Sequence, residues 1–201
     1  MPHACHLGDI IYNSVMIDDI FKTGIYWTDL KLDTKSILKT CISYSKKHNS
    51  VKVSNRGGYQ SNDLLTDSGY SKIFTSILHH AEEYNKLLGY KNNRTINVAW
   101  FNINSYKDYN VEHSHPGCTM SGVFYVSTPK DCGDLIFYAP NHNELELNNS
   151  NEQTMTPYTF HEYHMPAIKN RLYIFPNTLR HSVLPNMNKK EKRVSISFNL
   201  Q

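Results

Sequence analysis

A chain of 201 residues is long enough for one domain with a full apolar core and barely long enough for two, and 39% hydrophobic residues with 12% aromatics exclude a disordered chain. No apolar run approaches the ~20 residues needed to cross a bilayer. A net charge of +3, with basic residues scattered except at Lys189-Lys190-Glu191-Lys192-Arg193, offers no stripe for nucleic acid. Nucleic acid and membrane are therefore not expected as partners. Met1-Pro2-His3-Ala4-Cys5-His6 lacks the basic-then-apolar layout of a signal peptide, so a cytoplasmic address is the expectation. Cys5, Cys41, Cys118 and Cys132 form no CxxC pair and read as reduced thiols. His3, Cys5 and His6 sit on a terminus that more often holds nothing than a metal.

In chain order, Asp33-Thr34 caps an expected helix running to about Lys47, with Ile37, Leu38, Cys41 and Ile42 on one side. Residues Ser54 to Asp63 are polar, carry a glycine pair and have no periodicity, which reads as a loop. A second helix follows, because Ile73, Phe74, Ile77, Leu78, Ala81, Tyr84 and Leu88 recur at three- and four-residue steps before Gly89. From Thr95 onward the pattern changes to strands: Ile96 to Ile103, Met120 to Val126, Leu135 to Tyr138, His161 to Met165, Arg171 to Pro176 and Arg193 to Leu200. Asn141 to Gln153, rich in Asn and Glu, reads as a solvated loop. The expected fold is α+β, a jelly-roll or cupin-like β-barrel over residues 94–201 backed by N-terminal helices and a loop within 1–93, all in one domain, 1–201.

Three features of the strand half carry chemistry. His113 and His115 stand two apart, so in extended chain both imidazoles project to one face and can reach one ion. His181 follows the strand Arg171 to Pro176, and strand ends can meet across a barrel mouth. A facial set of nitrogen donors with open positions suits a non-haem Fe(II). Arg193 and Ser195 share a face of the last strand; an inward guanidinium in an apolar strand is expensive unless it meets an anion. Its planar fork, with a hydroxyl beside it and Tyr125 on a neighbouring strand, suits a buried carboxylate. An internal Asp or Glu partner for Arg193 is the structural alternative. His161 and His164 face opposite ways on a strand and are set aside; Trp100 and Tyr173 read as wall or core.

The order His-x-His before a strand, a distal His, then Arg-x-Ser on the last strand resembles the double-stranded β-helix oxygenases that use Fe(II) and 2-oxoglutarate. More narrowly, it is similar to a largely bacterial and phage-encoded group, on Ser54-Asn55-x-Gly57-Gly58-Tyr59-Gln60-Ser61, Trp100-x-Asn102-x-Asn104, His113-x-His115-Pro116, Ser121-Gly122-Val123-Phe124-Tyr125, Arg171-Leu172-x-x-Phe175-Pro176, His181-Ser182-Val183 and Arg193-x-Ser195-x-Ser197-Phe198-Asn199. The resemblance implies that His113 and His181 ligate iron, and that Arg193, with Ser195 and Tyr125, grips the C5 carboxylate of 2-oxoglutarate. Asn102 and Asn104 lie on a strand from which that superfamily often contacts the co-substrate. Asn55, Gly57, Gly58, Tyr59 and Gln60 become a lid or substrate loop. The implied reaction couples O2 and the decarboxylation of 2-oxoglutarate to succinate with hydroxylation of an unactivated C–H. The substrate stays open between a protein side chain, a nucleotide and a metabolite.

One departure matters: the wider superfamily has a carboxylate two residues after the first histidine, and this chain has His115. A three-histidine site keeps one more positive charge on the metal. A second reading makes His115 the first ligand and leaves Gly117 where the carboxylate would be, as in halogenases. The competing functions are a three-histidine cupin-like metalloenzyme that does not use 2-oxoglutarate, and a non-catalytic metal-binding barrel.

Overall fold

The computed structural model describes residues 20–140 and 160–201. The histidine–cysteine terminus and the Asn/Glu-rich stretch from Asn141 lie outside the described residues. In chain order the elements are β1 (Tyr26–Asp29), α1 (Thr34–Ser45), β2 (Asn55–Arg56), β3 (Tyr59–Gln60), a short 3-10 turn (Ser68–Tyr70), α2 (Ser71–Leu87), β4 (Ile96–Asn104), β5 (Tyr109–His113), β6 (Met120–Ser127), β7 (Leu135–Tyr138), β8 (Glu162–Met165), β9 (Arg171–Pro176), β10 (His181–Val183) and β11 (Arg193–Leu200). Neither helix is long and apolar enough to cross a membrane.

Strands β1-β9-β6-β11-β4-β3 form one sheet in that order, and β2-β5-β10-β7-β8 form the second. Every pairing is antiparallel. This is the double-stranded β-helix with helices packed on the outside of the larger sheet. The first ninety residues are more than helical support. β1 closes one edge of the larger sheet against β9, and β2 and β3 pair with β5 and β4 in different sheets. The expected loop from Ser54 is thus stitched into both sheets, through Asn55 opposite Asn110 and Gln60 opposite Asn102. Short polar pairs of this kind have no run of alternation for a sequence to display.

Side-chain alternation divides the larger sheet between two environments. On β11, Val194, Ile196, Phe198 and Leu200 point to the helices and are wholly buried with Ile73, Ile77, Ala81 and Tyr84 of α2 and Cys41 of α1. On β4, Ala99, Phe101 and Ile103 belong to the same core. Burying each large apolar side chain there is worth roughly 1.5–3 kcal/mol. The intervening residues, Arg193, Ser195 and Ser197 on β11 and Trp100, Asn102 and Asn104 on β4, line a cavity between the two sheets. A smaller apolar cluster, with Val123, Leu135, Phe137 and Phe175, fills the rest of the barrel interior.

The helices are fixed locally as well. The Asp33 carboxylate accepts the amides of Lys35 and Ser36 at the start of α1. Tyr26 ties β1 to α2 by donating to Glu83 at 2.8 Å, with His80 Nδ1 also 2.8 Å from its hydroxyl. Arg171 clamps the far end of β1 through a fork on Asp29, at 2.7 and 2.8 Å.

Candidate active site

His181 on β10 lies directly opposite His113 on β5 in the antiparallel ladder, which brings their ring centroids to 4.4 Å. His115 reaches the same spot by another route. β5 ends at His113, so the pair is not a continuous extended run; residue 115 is instead held by a reciprocal clamp on Asn177. The His115 amide donates to the Asn177 carbonyl at 3.0 Å, and the Asn177 side-chain amide donates to the His115 carbonyl at 3.1 Å. The result is three imidazoles with one ring nitrogen each within 4.8 Å of the others.

The tautomers follow from the acceptors. His113 Nδ1 sits 2.7 Å from the Val111 carbonyl and His181 Nδ1 2.9 Å from the Leu179 carbonyl. A carbonyl can only accept, so Nδ1 carries the proton in both rings and each Nε2 presents a lone pair. His115 Nε2 lies 3.2 Å from His181 Nε2. Burial holds all three imidazoles below the usual histidine range, assisted at His115 and His181 by the neighbouring His113 ring: His115 to about 4 and His181 to about 3. Converging neutral lone pairs, with the distal N–H of two rings anchored on backbone, are the donor set a transition metal requires. A second group, His79, His80 and Glu83, sits on the outer face of α2 and belongs to the Tyr26 clasp.

Arg193 is fully buried, with no exposed surface. Its Nη1 donates to the carbonyls of Cys132 and Leu184, the latter at 2.8 Å. Those carbonyls are presented by a close backbone crossing: Gly133 has φ +82°, and a Cβ there would overlap the Leu184 carbonyl oxygen. The other edge of the guanidinium, Nε and Nη2, has no partner, and neither has the Tyr125 hydroxyl, Asn102 Oδ1 or Asn104 Nδ2. Among the described residues no carboxylate contacts Arg193, so none of them is the internal acid partner of the structural alternative. Burial pushes the Tyr125 phenol well above the usual tyrosine range, so it stays a neutral donor. Orphaned buried donors of this kind are costly unless a ligand meets them. A guanidinium edge beside a phenol fits the distal carboxylate of a keto acid.

The histidines, Arg193, Ser195, Tyr125, Asn102 and Asn104 all line one cavity. Trp100 lines it as a wall residue, and Ser54, Asn110 and Ser197, to which the sequence assigned no role in the site, line it too. Ser197 was accessible to sequence reasoning, being two residues beyond Ser195 on the same face. Asn177 left no such signal, because its role depends on a backbone contact with His115. None of Asn55, Gly57, Gly58, Tyr59 and Gln60 lines the cavity; Tyr59 stacks on Phe101 on the helix side, with centroids 5.5 Å apart. Gly117, with φ +85° and no atom within 4 Å of a Cβ, forms an open turn and does not line the cavity.

Comparison with known proteins identifies the fold and the family. Solved structures with the same fold include a Pseudomonas putida prolyl-4-hydroxylase (TM-score 0.60, 14% identity, 88% of this chain and 92% of that one). The non-haem α-ketoglutarate-dependent epimerase SnoN of nogalamycin biosynthesis aligns with TM-score 0.65 and 14% identity over 89% of this chain and 76% of that one. The viral collagen prolyl hydroxylase of Paramecium bursaria Chlorella virus-1, in its 2-oxoglutarate complex, gives 0.56 and 11% over 88% and 94%. A search of curated protein sequences found no match. Residues 98–199, from within β4 to the end of the last strand, match the family model described as "Putative 2OG-Fe(II) oxygenase". The chain belongs to this family of oxygenases, whose cofactors are Fe(II) and 2-oxoglutarate.

Proposed function

We propose that the chain is a single-domain hydroxylase in which His113, His115 and His181 hold Fe(II), and Arg193, Tyr125 and Ser195 hold the C5 carboxylate of 2-oxoglutarate. The observation that carries this reading is the pairing, in one cavity, of three converging imidazoles with a buried guanidinium whose Nε and Nη2 are unpaired. Bound there, Fe(II) supplies the activation of O2 that couples decarboxylation of 2-oxoglutarate to oxidation of a C–H bond, releasing succinate and CO2.

The protein's own part is placement and exclusion. The Val111 and Leu179 carbonyls hold the rings of His113 and His181 in the ligating tautomer. The Cys132 and Leu184 carbonyls fix the guanidinium so that its free edge faces the cavity without reorganisation. Leu135, Phe175 and Val183 form an apolar wall that keeps water from the reacting carbon. Asn102 and Asn104 supply further polar contacts to the co-substrate. The segment Asn55, Gly57, Gly58, Tyr59 and Gln60, proposed as the lid or substrate loop, is tied to β5 and β4, and its neighbour Ser54 lines the cavity. A reducing, cytoplasmic setting suits Cys41, Cys118 and Cys132, all free thiols.

The test is anaerobic addition of Fe(II) and 2-oxoglutarate, read as a visible charge-transfer band, followed by succinate release in air across peptides, nucleotides and amino acids. A band and succinate are expected. Iron binding with no response to 2-oxoglutarate would favour a cupin-like enzyme that needs no keto acid, and no iron binding would leave a non-catalytic barrel.

A further inference from the structure

The charge of the cavity does not balance. Among the described residues, its lining contains Arg193 and the three histidines but no aspartate or glutamate. The nearby described acids lie outside that lining. Asp108 accepts the Ser105 amide at 2.7 Å, Glu112 pairs with Arg180 at 2.8 Å, and Asp134, 41% exposed, faces His164. Asp108 and Asp134 act on Arg193 only through space. Burial raises the Tyr125 phenol and the Cys132 thiol, so neither supplies an anion.

On the reading above, a divalent metal and the guanidinium bring three positive charges and 2-oxoglutarate removes two. Three neutral imidazoles remove none. One positive charge is left in a low-dielectric chamber, where an uncompensated charge is expensive. The same cavity holds neutral groups not assigned to 2-oxoglutarate: the indole of Trp100, the amide of Asn110 and the hydroxyls of Ser54 and Ser197 line it, with no acid among the described lining residues.

We propose that the substrate is an anion, and that the group received beside the metal is its carboxylate. A carboxylate supplies the single missing charge and two acceptor oxygens for neutral donors. A phosphate would overshoot the balance, and a halide would leave the paired donors half used. Substrates whose reacting carbon lies close to a free carboxyl, such as an amino acid, a hydroxy acid or an acidic side chain, fit; neutral peptide backbone does not.

The proposal rests on the iron and 2-oxoglutarate assignment, and the experiment separates the two. The full chain is loaded with Co(II) and saturating 2-oxoglutarate, then titrated with acetate, acetamide, chloride and methyl phosphate, followed by the visible Co(II) bands and by calorimetry. Acetate is expected to bind at least about tenfold more tightly than acetamide, a difference of about 1.4 kcal/mol, and to lose that advantage when Co(II) is omitted. His115→Asp, which supplies the missing charge from the protein, is expected to weaken acetate by about tenfold while still taking up Co(II) and 2-oxoglutarate. Equal affinity for acetate and acetamide in the unaltered chain overturns the proposal, whether or not the variant folds. So does unchanged acetate binding in a folded His115→Asp. Chloride or methyl phosphate binding at least as tightly as acetate also overturns it, in favour of an inorganic anion or a phosphoryl substrate. A chain that takes up no Co(II), or takes it up and ignores 2-oxoglutarate, refutes the oxygenase assignment and this proposal with it.

Discussion

Replacing Arg193 by methionine keeps the length of the side chain and removes its charge, so it separates ligand binding from folding. In the unliganded protein the guanidinium gives Nη1 to the Cys132 and Leu184 carbonyls, while Nε and Nη2 satisfy nothing. The variant loses the Nη1 bonds, a longer one to the Gly133 carbonyl included, but also sheds an unpaired buried charge, and the two effects oppose each other, leaving a net change of about 1–2 kcal/mol. Binding behaves differently. If the free edge meets the keto acid, two charge-assisted bonds of about 1.5–3 kcal/mol each disappear, which weakens 2-oxoglutarate by roughly two to four orders of magnitude. The assay is thermal unfolding with Co(II) present, with and without 2-oxoglutarate. At a hundredfold excess over Kd the unaltered chain gains about 2.7 kcal/mol, roughly 5–10 °C for a domain of this size. The variant is expected to show no shift at the same concentration. A variant that kept the shift, with a Kd within about threefold of the original by calorimetry, would refute the assignment of the guanidinium to the co-substrate.

His181→Ala removes the most buried of the three rings, and Co(II) affinity measured by competition with a chelator is expected to fall by at least about two orders of magnitude; unchanged affinity would remove His181 from the site. Gly122→Ala places a methyl where Phe198 and the Tyr173 carbonyl already lie, so urea unfolding should report a loss of about 1–3 kcal/mol, with neutrality pointing to an unrecognised slack in the larger sheet. Ile77→Ala empties a fully buried site under that sheet and should cost about 2–5 kcal/mol in the same measurement. Hydrogen bonds from Arg171 hold the Asp29 carboxyl below its usual value. Its contribution is therefore present above the pKa of an unfolded aspartate and fades as pH falls through the lower folded value. The stability gap between the unaltered chain and Asp29→Asn is small because Asp29 is half exposed; it should shrink on acidification below about pH 4, and a gap that widened would reverse the sign of the coupling.

What the sequence made legible follows the strength of its periodicity. α2 was readable because seven apolar residues recur on one face, and β11 because apolar and polar residues alternate through eight positions. That alternation also exposed Arg193 and Ser195 as inward residues. β1, β5 and β10 were not readable: they are three to five residues long, and β10 reduces to His181-Ser182-Val183. Their existence depends on partners distant in sequence, such as Arg171 for Asp29 and His113 for His181. His113 and His115 were singled out by their spacing and His181 by its place after a strand, but the reason given for His115 was incomplete, since the strand stops before it and Asn177 does the holding. The carbonyl cradle of Arg193 was invisible because backbone oxygens carry no residue signature.

The division of β11 into an apolar row and a polar row makes the chain intolerant of length changes in one short stretch. A single inserted or deleted residue between Arg193 and Leu200 would rotate isoleucine and phenylalanine into the chamber and thrust a guanidinium among the helices. Point substitutions on either row would disturb one face at a time. Drift of this protein toward new ligands is thus confined to exchanging side chains within a frozen frame, and frameshifted variants of the last strand should be recovered only as unfolded chains.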